Sequence, residues 1–470
     1  MRVNRRELLT GILGLRAAAA APERPNVLFI IADDLNTSLG CYGNSIAKTP
    51  NLDAFARNGV VFERAYCQFP LCQPSRTSLL SGLRPESTKV WTLDTPTRKF
   101  LGDAVMLPEL FRRNGYFTGH AGKVFHTGEH AEDPRSWDVE KREFGKNPPS
   151  SEILRSGTEP DLSGHTFRWD VLRTRDEATP DGIVAAQMVE WLEQRSKDKR
   201  PFFLAAGFRR PHAPYSAPSK YFDLYPPDQI PLPTGTPPSI AAAVNHSHEL
   251  HPLPPKVVRE HIAAYYACVS FVDSQVGVIL TALNRLQLQQ QTVIVFLGDH
   301  GYHLGDHGGL WHKRTLFESS ARAPLIVSAP GMAAGARCKE IVEFVDLYPT
   351  LGSLCGLKSP GNLEGLSFVP LLKNPGMAWK SAAFSLVGRR KGDFDDPNQV
   401  DYLGRTIRTQ HWRYTEWDNR EQGVELYRLD RDSRELENVA GNPEWKSVQD
   451  DLSRRLHAGW REALPQKGSE

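Results

Sequence analysis

Cys72-Gln73-Pro74-Ser75-Arg76 sets a thiol, a proline and an arginine close together on one short stretch. Pro74 fixes its own φ and suits the first turn of a helix, where its missing N–H goes unused. Residues 75–80 (SRTSLL) then read as a short helix, stopped by Gly82 and Pro85. Position 72 therefore falls at a helix N-terminus, where unpaired N–H groups and the helix dipole favour an anion. Arg76, four residues on, lies on the same side and can pair with an anionic oxygen. The plain alternative is a buried structural cysteine ahead of a capped helix. The rest of the chain decides between the two.

Asp33-Asp34 directly follow the apolar run 26–32 (NVLFIIA), and Asp299-His300 end the run 292–297 (TVIVFL) in the same way. Adjacent carboxylates repel unless a cation or an arginine compensates them. Two strand ends that each deliver a carboxylate make a divalent cation the simplest compensation. Oxygen-dominated ligation favours Ca²⁺ or Mg²⁺ over zinc, while a histidine in the shell leaves the ion open. Gly122-Lys123-Val124-Phe125-His126 alone reads equally well as a strand-to-loop junction with a solvated lysine. His303, His307 and His312 lack a second ligand cluster and read as loop hydrogen-bonders, with His303 or His307 a candidate pocket wall.

The elements that must position these groups alternate. Runs 26–32, 60–63, 116–119, 201–207 and 292–297 have the apolar, β-rich character of buried strands. Segments 49–58, 107–114, 182–194 and 259–286 between them read as helices. Such alternation predicts an α/β fold, a large mostly parallel sheet sandwiched by helices, with ligands at the carboxyl ends of the strands. After residue 373 the pattern changes to short strands at 405–409, 412–416 and 425–427, a polar turn at 430–438 and a helix at 445–463. That predicts a smaller C-terminal subdomain, 374–470, containing an antiparallel sheet and packed on a main domain of 24–373. The proline-rich or polar stretches 134–163 and 226–255 are expected to wrap the site.

At 470 residues the chain is long enough for this arrangement, and its net charge of +2 leaves no footprint for nucleic acid. No apolar run reaches the length of a membrane span. Residues 1–23, with Arg5-Arg6, a modest apolar run and a small-residue region before Pro22, resemble a Tat-like signal. An exported protein, periplasmic or extracellular, is the expectation. Six cysteines are too few for a disulfide scaffold.

Together, the C-x-P-S-R stretch and the strand-end acids resemble the type I sulfatases of the alkaline phosphatase superfamily. Segments 38–43 (SLGCYG), 122–126 (GKVFH), 210–214 (RPHAP) and 301–307 (GYHLGDH) are similar to the iduronate-2-sulfatase branch. The resemblance runs from about residue 24 into the C-terminal subdomain. It implies that Cys72 is oxidised to formylglycine by a formylglycine-generating enzyme. It also implies Ca²⁺ held by Asp33, Asp34, Asp299, His300 and an oxygen of residue 72. Arg76 matches the arginine that holds the hydrated aldehyde, and Lys123 and His126 the pair that contacts it and sulfate. His212 and Lys313 match the groups on the leaving-group side.

Each type suits its implied task. Ca²⁺, Lys123, Lys313 and Arg76 supply positive charge for sulfate oxygens, and His212 or Lys313 a proton for the departing alcohol. One hydroxyl of the aldehyde hydrate attacks sulfur; His126 then takes the other's proton, and sulfate leaves. Lysines and histidines in such a cationic site are expected to have lowered pKa values. Trp91 and Trp311 are of a type that stacks on sugars, and Arg209 and Arg210 of a type that pairs with a uronate carboxylate. The expected activity is sulfate ester hydrolysis on a sulfated carbohydrate, such as a 2-O-sulfated uronate. A phosphate monoester or phosphonate ester hydrolase on the same fold is the alternative, and a catalytically dead carbohydrate-binding relative the third reading.

Overall fold

Strand Asn26–Asp33 is buried from Val27 onward, as a strand covered on both faces must be. Its side chains divide with period two. Leu28, Ile30 and Ala32 enter one apolar layer, and Val27, Phe29 and Ile31 the other. The first layer is filled by helices Pro180–Arg195 and Pro255–Arg285. The second is filled by helices Cys72–Ser81, Leu107–Arg113 and Leu347–Leu354. Each fully buried aliphatic or aromatic side chain there contributes about 1.5–3 kcal/mol. The computed structural model describes residues 24–127, 131–141, 150–160, 166–244, 250, 252–390 and 400–465. The signal expected at 1–23 lies outside these residues, as do parts of both expected wrapping stretches.

Asn26–Asp33 lies inside a sheet ordered Ala336–Glu343, Val60–Tyr66, Leu325–Ser328, Thr292–Gly298, Asn26–Asp33, Phe202–Pro211, Phe117–Gly122, Val139–Lys141. Only Leu325–Ser328 runs against its neighbours. This is the expected mostly parallel sheet between helices. Strand ends and helix starts shift from the expected ones by a few residues, where fraying and capping outweigh apolar pattern. The stretch expected to be loop from 134 onward instead supplies the edge strand Val139–Lys141. It also supplies Ile153–Pro160 of a separate three-stranded sheet with Thr166–Leu172 and Tyr215–Pro218. Val139–Lys141 is only three residues long, and residues 154–156 and 158 of the second strand are exposed, so neither carries the continuous apolar signal of a central strand.

Helix Pro255–Arg285 is apolar and long enough by composition to cross a bilayer, yet every residue from His261 to Asp273 is buried within the protein. It is a core helix. The C-terminal sheet is an antiparallel meander of Ala382–Arg389, Tyr402–Thr409, Trp412–Trp417 and Val424–Arg428. Leu452 of helix Lys446–Ala458 packs against its Ile407, Tyr414 and Leu426. Gly459, at φ 85°, ends that helix, and Trp460–Ala463 form a separate turn rather than its continuation. All six cysteines are free thiols.

A buried charge cluster ties this sheet to the main body. Lys380 Nζ lies 2.6 Å from Asp346 and 2.8 Å from Glu343, which also pairs with Arg84 at 2.6 Å and accepts the Phe384 N–H at 2.9 Å. Lys380→Ala would strip buried Asp346 of its cation and leave Glu343 with Arg84 alone, so we expect a loss of about 3–5 kcal/mol in urea unfolding. A loss under about 1 kcal/mol would show that the cluster is not needed for docking. Burial alone would raise the Glu343 carboxyl, but Arg84 and Lys380 outweigh it and hold it at about 2. Its stabilising contribution is thus complete above its ordinary 4.5 and disappears as pH falls through about 2.

Candidate active site

The site forms where three strand ends meet the start of helix Cys72–Ser81, which begins at Cys72, three residues earlier than expected. Asp33 ends the first strand. Asp34 then adopts a left-handed backbone, φ 63°, which breaks strand alternation and turns the second carboxylate to the same site. Tyr265 pins this turn: its hydroxyl donates to the Asp34 carbonyl at 2.8 Å and accepts from Asn36 N–H at 2.9 Å. No sequence signal marked that tyrosine, which lies within a long core helix.

Thr292–Gly298 delivers Asp299 and His300 beside them. Asp299 Oδ1 accepts the backbone N–H groups of Asp34 and His300, each at 3.1 Å. His300 Nδ1 lies 2.8 Å from the Gly301 carbonyl and so carries the proton. Its Nε2 lone pair then faces Cys72 Sγ at 3.4 Å, Asp34 at 3.5 Å and Asp299 at 3.6 Å. Donor atoms of Asp33, Asp34, Cys72 and His300 lie within 4.8 Å of one another. An imidazole lone pair converging with carboxylate oxygens fits a bound divalent cation. The group can hold a metal.

Arg76 is fully buried. Its Nε donates to Asp299 at 2.8 Å, its Nη2 reaches Asp33 at 3.3 Å, and its Nη1 reaches the carbonyls of Lys123 and Val124. Here the guanidinium braces the acids and the Lys123 loop. Ser75, a member of the C-x-P-S-R stretch to which no role was assigned from sequence, adds a hydroxyl bond to the Asp299 carbonyl at 2.5 Å. Lys123 Nζ lies 2.5 Å from Asp33, and Lys313 Nζ 2.5 and 2.7 Å from the two oxygens of Asp34. Left-handed His312 and Arg314 flank Lys313 and shape the loop that presents it. Three carboxylates thus face three fixed cations.

These charges set the titration of the site. Burial raises the Asp33 and Asp34 carboxyls, but the surrounding cations win and hold both below the usual range. Burial, helped by the Asp33 charge, pushes the Cys72 thiol far up, so the unmodified thiol is a poor nucleophile. His126 is lowered to about 3 by burial and by Lys123, and His212 to about 4 by burial, against Asp34. Both are neutral imidazoles at physiological pH, as expected for histidines here. Lys313 departs from the expected lowering: burial would lower it, but contact with Asp34 wins and raises it.

His212 lies at the mouth, its side chain 31% exposed. Its Nδ1 is 2.6 Å from the Ala213 carbonyl, so Nε2, 3.8 Å from Asp34, is the nitrogen left for a ligand. His126 follows Lys123 on the same loop, with its buried Nδ1 unpaired among the described residues. Gly207 lets that loop approach: a Cβ there would lie 2.1 Å from the Lys123 carbonyl oxygen. We expect Gly207→Ala to displace Lys123 and lower kcat/KM on an aryl sulfate by about 10²-fold. An unchanged rate would remove Lys123 placement from catalysis.

His303 and His307 stay out of the site. His303 spends its nitrogens on Asp306 at 2.6 Å and Thr315 at 2.7 Å, and His307 on Asp306 at 3.3 Å and the Glu435 carbonyl at 3.2 Å. His307 lines a separate cavity of about 710 Å³ that contains none of the clustered residues above. Trp311 is fully buried and offers no face to a sugar, while Trp91 is half-buried, its indole N–H on the Pro85 carbonyl.

Fold and site together define a hydrolase of anionic esters on the alkaline phosphatase-like scaffold. Residues 25–357 match the family described as Sulfatase, and 305–462 that described as N-sulphoglucosamine sulphohydrolase, C-terminal. The chain belongs to the sulfatase family and is a sulfuric ester hydrolase. Iduronate 2-sulfatase of Homo sapiens is 33% identical over 471 residues, 83% of this chain and 84% of that protein. A sulfatase of Formosa agariphila is 34% identical over 463 residues, 90% of this chain and 85% of its own. Among solved structures, the phosphonate monoester hydrolase of Agrobacterium radiobacter superposes with a TM-score of 0.78 at 24% identity. That match covers 95% of this chain and 97% of the other.

Proposed function

We propose that the protein is an exported, formylglycine- and Ca²⁺-dependent sulfatase that removes sulfate from a sulfated carbohydrate, with a 2-O-sulfated uronate as the favoured substrate. The observation that carries the chemistry is Cys72 at the first turn of a buried helix, within reach of His300 and Asp34. The likeness to iduronate 2-sulfatase across most of both chains supports the substrate class.

Oxidation of Cys72 by a formylglycine-generating enzyme would supply an aldehyde hydrate, with one hydroxyl to attack sulfur and one to drive sulfate release. Calcium, held by the converging donors of Asp33, Asp34, His300 and residue 72 with Asp299 beside them, would add two positive charges where three carboxylates now face three cations. The chain's own residues do the remainder. Lys123 and Lys313 hold the sulfate oxygens as they now hold carboxylates. Arg76 fixes the acids so that they need not reorganise during reaction. His126, neutral and with Nδ1 unpaired among the described residues, serves as the base. His212, with Nδ1 fixed on a carbonyl, points Nε2 to the leaving-group side, and it or Lys313 returns the proton.

The test is sulfate release from a 2-O-sulfated uronate disaccharide by protein matured in its own host, beside an aryl sulfate and an aryl phosphate. We expect release from the disaccharide and a large preference for sulfate over phosphate. Turnover of neutral sulfated sugars alone would overturn the substrate class. Preference for the phosphate would overturn the chemistry.

A further inference from the structure

Strand Phe202–Pro211 ends in two adjacent arginines with different fates. Arg210 is 6% exposed, and its guanidinium donates to the Ser216 carbonyl at 2.9 Å and the His212 carbonyl at 2.8 Å. It holds the His212 loop in place and has little left for a ligand. Arg209 is half-buried, and only its backbone is anchored, by an N–H bond to Asp181 at 2.8 Å. Asp181 spends its second oxygen on the Arg210 N–H at 3.0 Å, so it holds backbone rather than guanidinium. Among the described residues no carboxylate or carbonyl pairs with the Arg209 side chain.

Its position is close to the chemistry. The ladder between the two central strands pairs Ala32 with Phe208 and Asp33 with Pro211, so Arg209 lies in the bulge beside Asp33. Bulges next to active sites commonly re-aim a side chain. Burial and neighbouring Arg210 act against protonation of the Arg209 guanidinium, while the more distant charges of Asp33 and Asp181 favour it without prevailing. Asp33 itself is already matched by Lys123 and Arg76. Holding a surplus, partly desolvated cation there is unfavourable unless a ligand brings the counter-charge.

We propose that Arg209 is a specificity residue that pairs with the carboxylate of the sugar ring bearing the scissile sulfate. This rests on the uronate reading above. A planar guanidinium matches a planar carboxylate through two parallel N–H···O bonds, which a hydroxymethyl group cannot accept with charge.

The experiment compares kcat/KM on a 2-O-sulfated uronate disaccharide and on its carboxyl-reduced counterpart, for the wild type, Arg209→Ala and Arg209→Lys. The wild type is expected to prefer the carboxylated sugar by about 10–100-fold. Arg209→Ala should bring that ratio to within about twofold of one, and Arg209→Lys should retain part of it. A merely structural role would lower both rates and leave the ratio intact. An alanine variant that keeps the full ratio overturns the assignment. A wild type that cleaves the reduced sugar and an aryl sulfate but not the uronate would overturn the uronate reading and this inference with it. A wild type that prefers the uronate while the alanine variant keeps that preference would overturn this inference alone.

Discussion

Replacing Cys72 by alanine is expected to lower sulfate release by about 10⁴-fold or more, because a nucleophile and its product-releasing partner vanish together. Folding should barely notice. The side chain is small, and among the described residues its Sγ meets only His300 and Asp34 as polar partners, so the cavity left behind costs about 1 kcal/mol. Thermal unfolding of the variant should therefore stay close to that of the wild type. The companion observation is the mass of the tryptic peptide containing residue 72. Conversion of thiol to aldehyde removes about 18 Da, whereas ordinary cysteine oxidation adds oxygen. Activity in a preparation whose Cys72 is wholly unmodified would sink the mechanism, as would an alanine variant retaining a tenth of the wild-type rate.

Stripping divalent cations is expected to reduce turnover by at least about 10³-fold and to be reversed by Ca²⁺. The fold should survive. Asp33, Asp34 and Asp299 already face Arg76, Lys123 and Lys313, so removing the ion does not leave three bare buried carboxylates. Loss of a ligand present at a hundred times its dissociation constant removes about 2.7 kcal/mol. That amounts to a shift of a few degrees in Tm rather than unfolding. Asp34→Asn should behave differently. It deprives Lys313 of its partner as well as the ion of a ligand, so stability should fall further, by about 3 kcal/mol. Cooperative unfolding on chelation would refute this account of the charge balance. Restoration by zinc and not by calcium would refute the reading of the donor set.

Much of this was legible in the chain itself. The runs NVLFIIA and TVIVFL are continuous and β-rich because both faces of a central parallel strand are covered, and their burial follows that pattern. Chain connectivity then fixes Asp33-Asp34 and Asp299-His300 at the carboxyl ends of those strands, where open α/β sheets bind ligands. The Cys72 helix was equally local, since Pro74 fits its first turn and Gly82 ends it by their own backbone preferences. Edge strands such as Val139–Lys141 were not legible, because a short polar strand gains its stability from a neighbour rather than from its own residues.

By itself, the sequence determined the sheet-and-helix alternation, the strand ends that bear acids and the cysteine at a helix start, because periodicity and backbone stereochemistry are properties of neighbours along the chain. Only the tertiary structure decided how the charges are shared. It turned Arg76 inward to brace Asp33 and Asp299, raised Lys313 through Asp34, committed Arg210 to two carbonyls and, among the described residues, left the Arg209 guanidinium without an acid in direct contact. Residue type sets what a side chain can bind. Which partner it finds depends on groups brought close from distant parts of the chain, and on how much water their packing excludes.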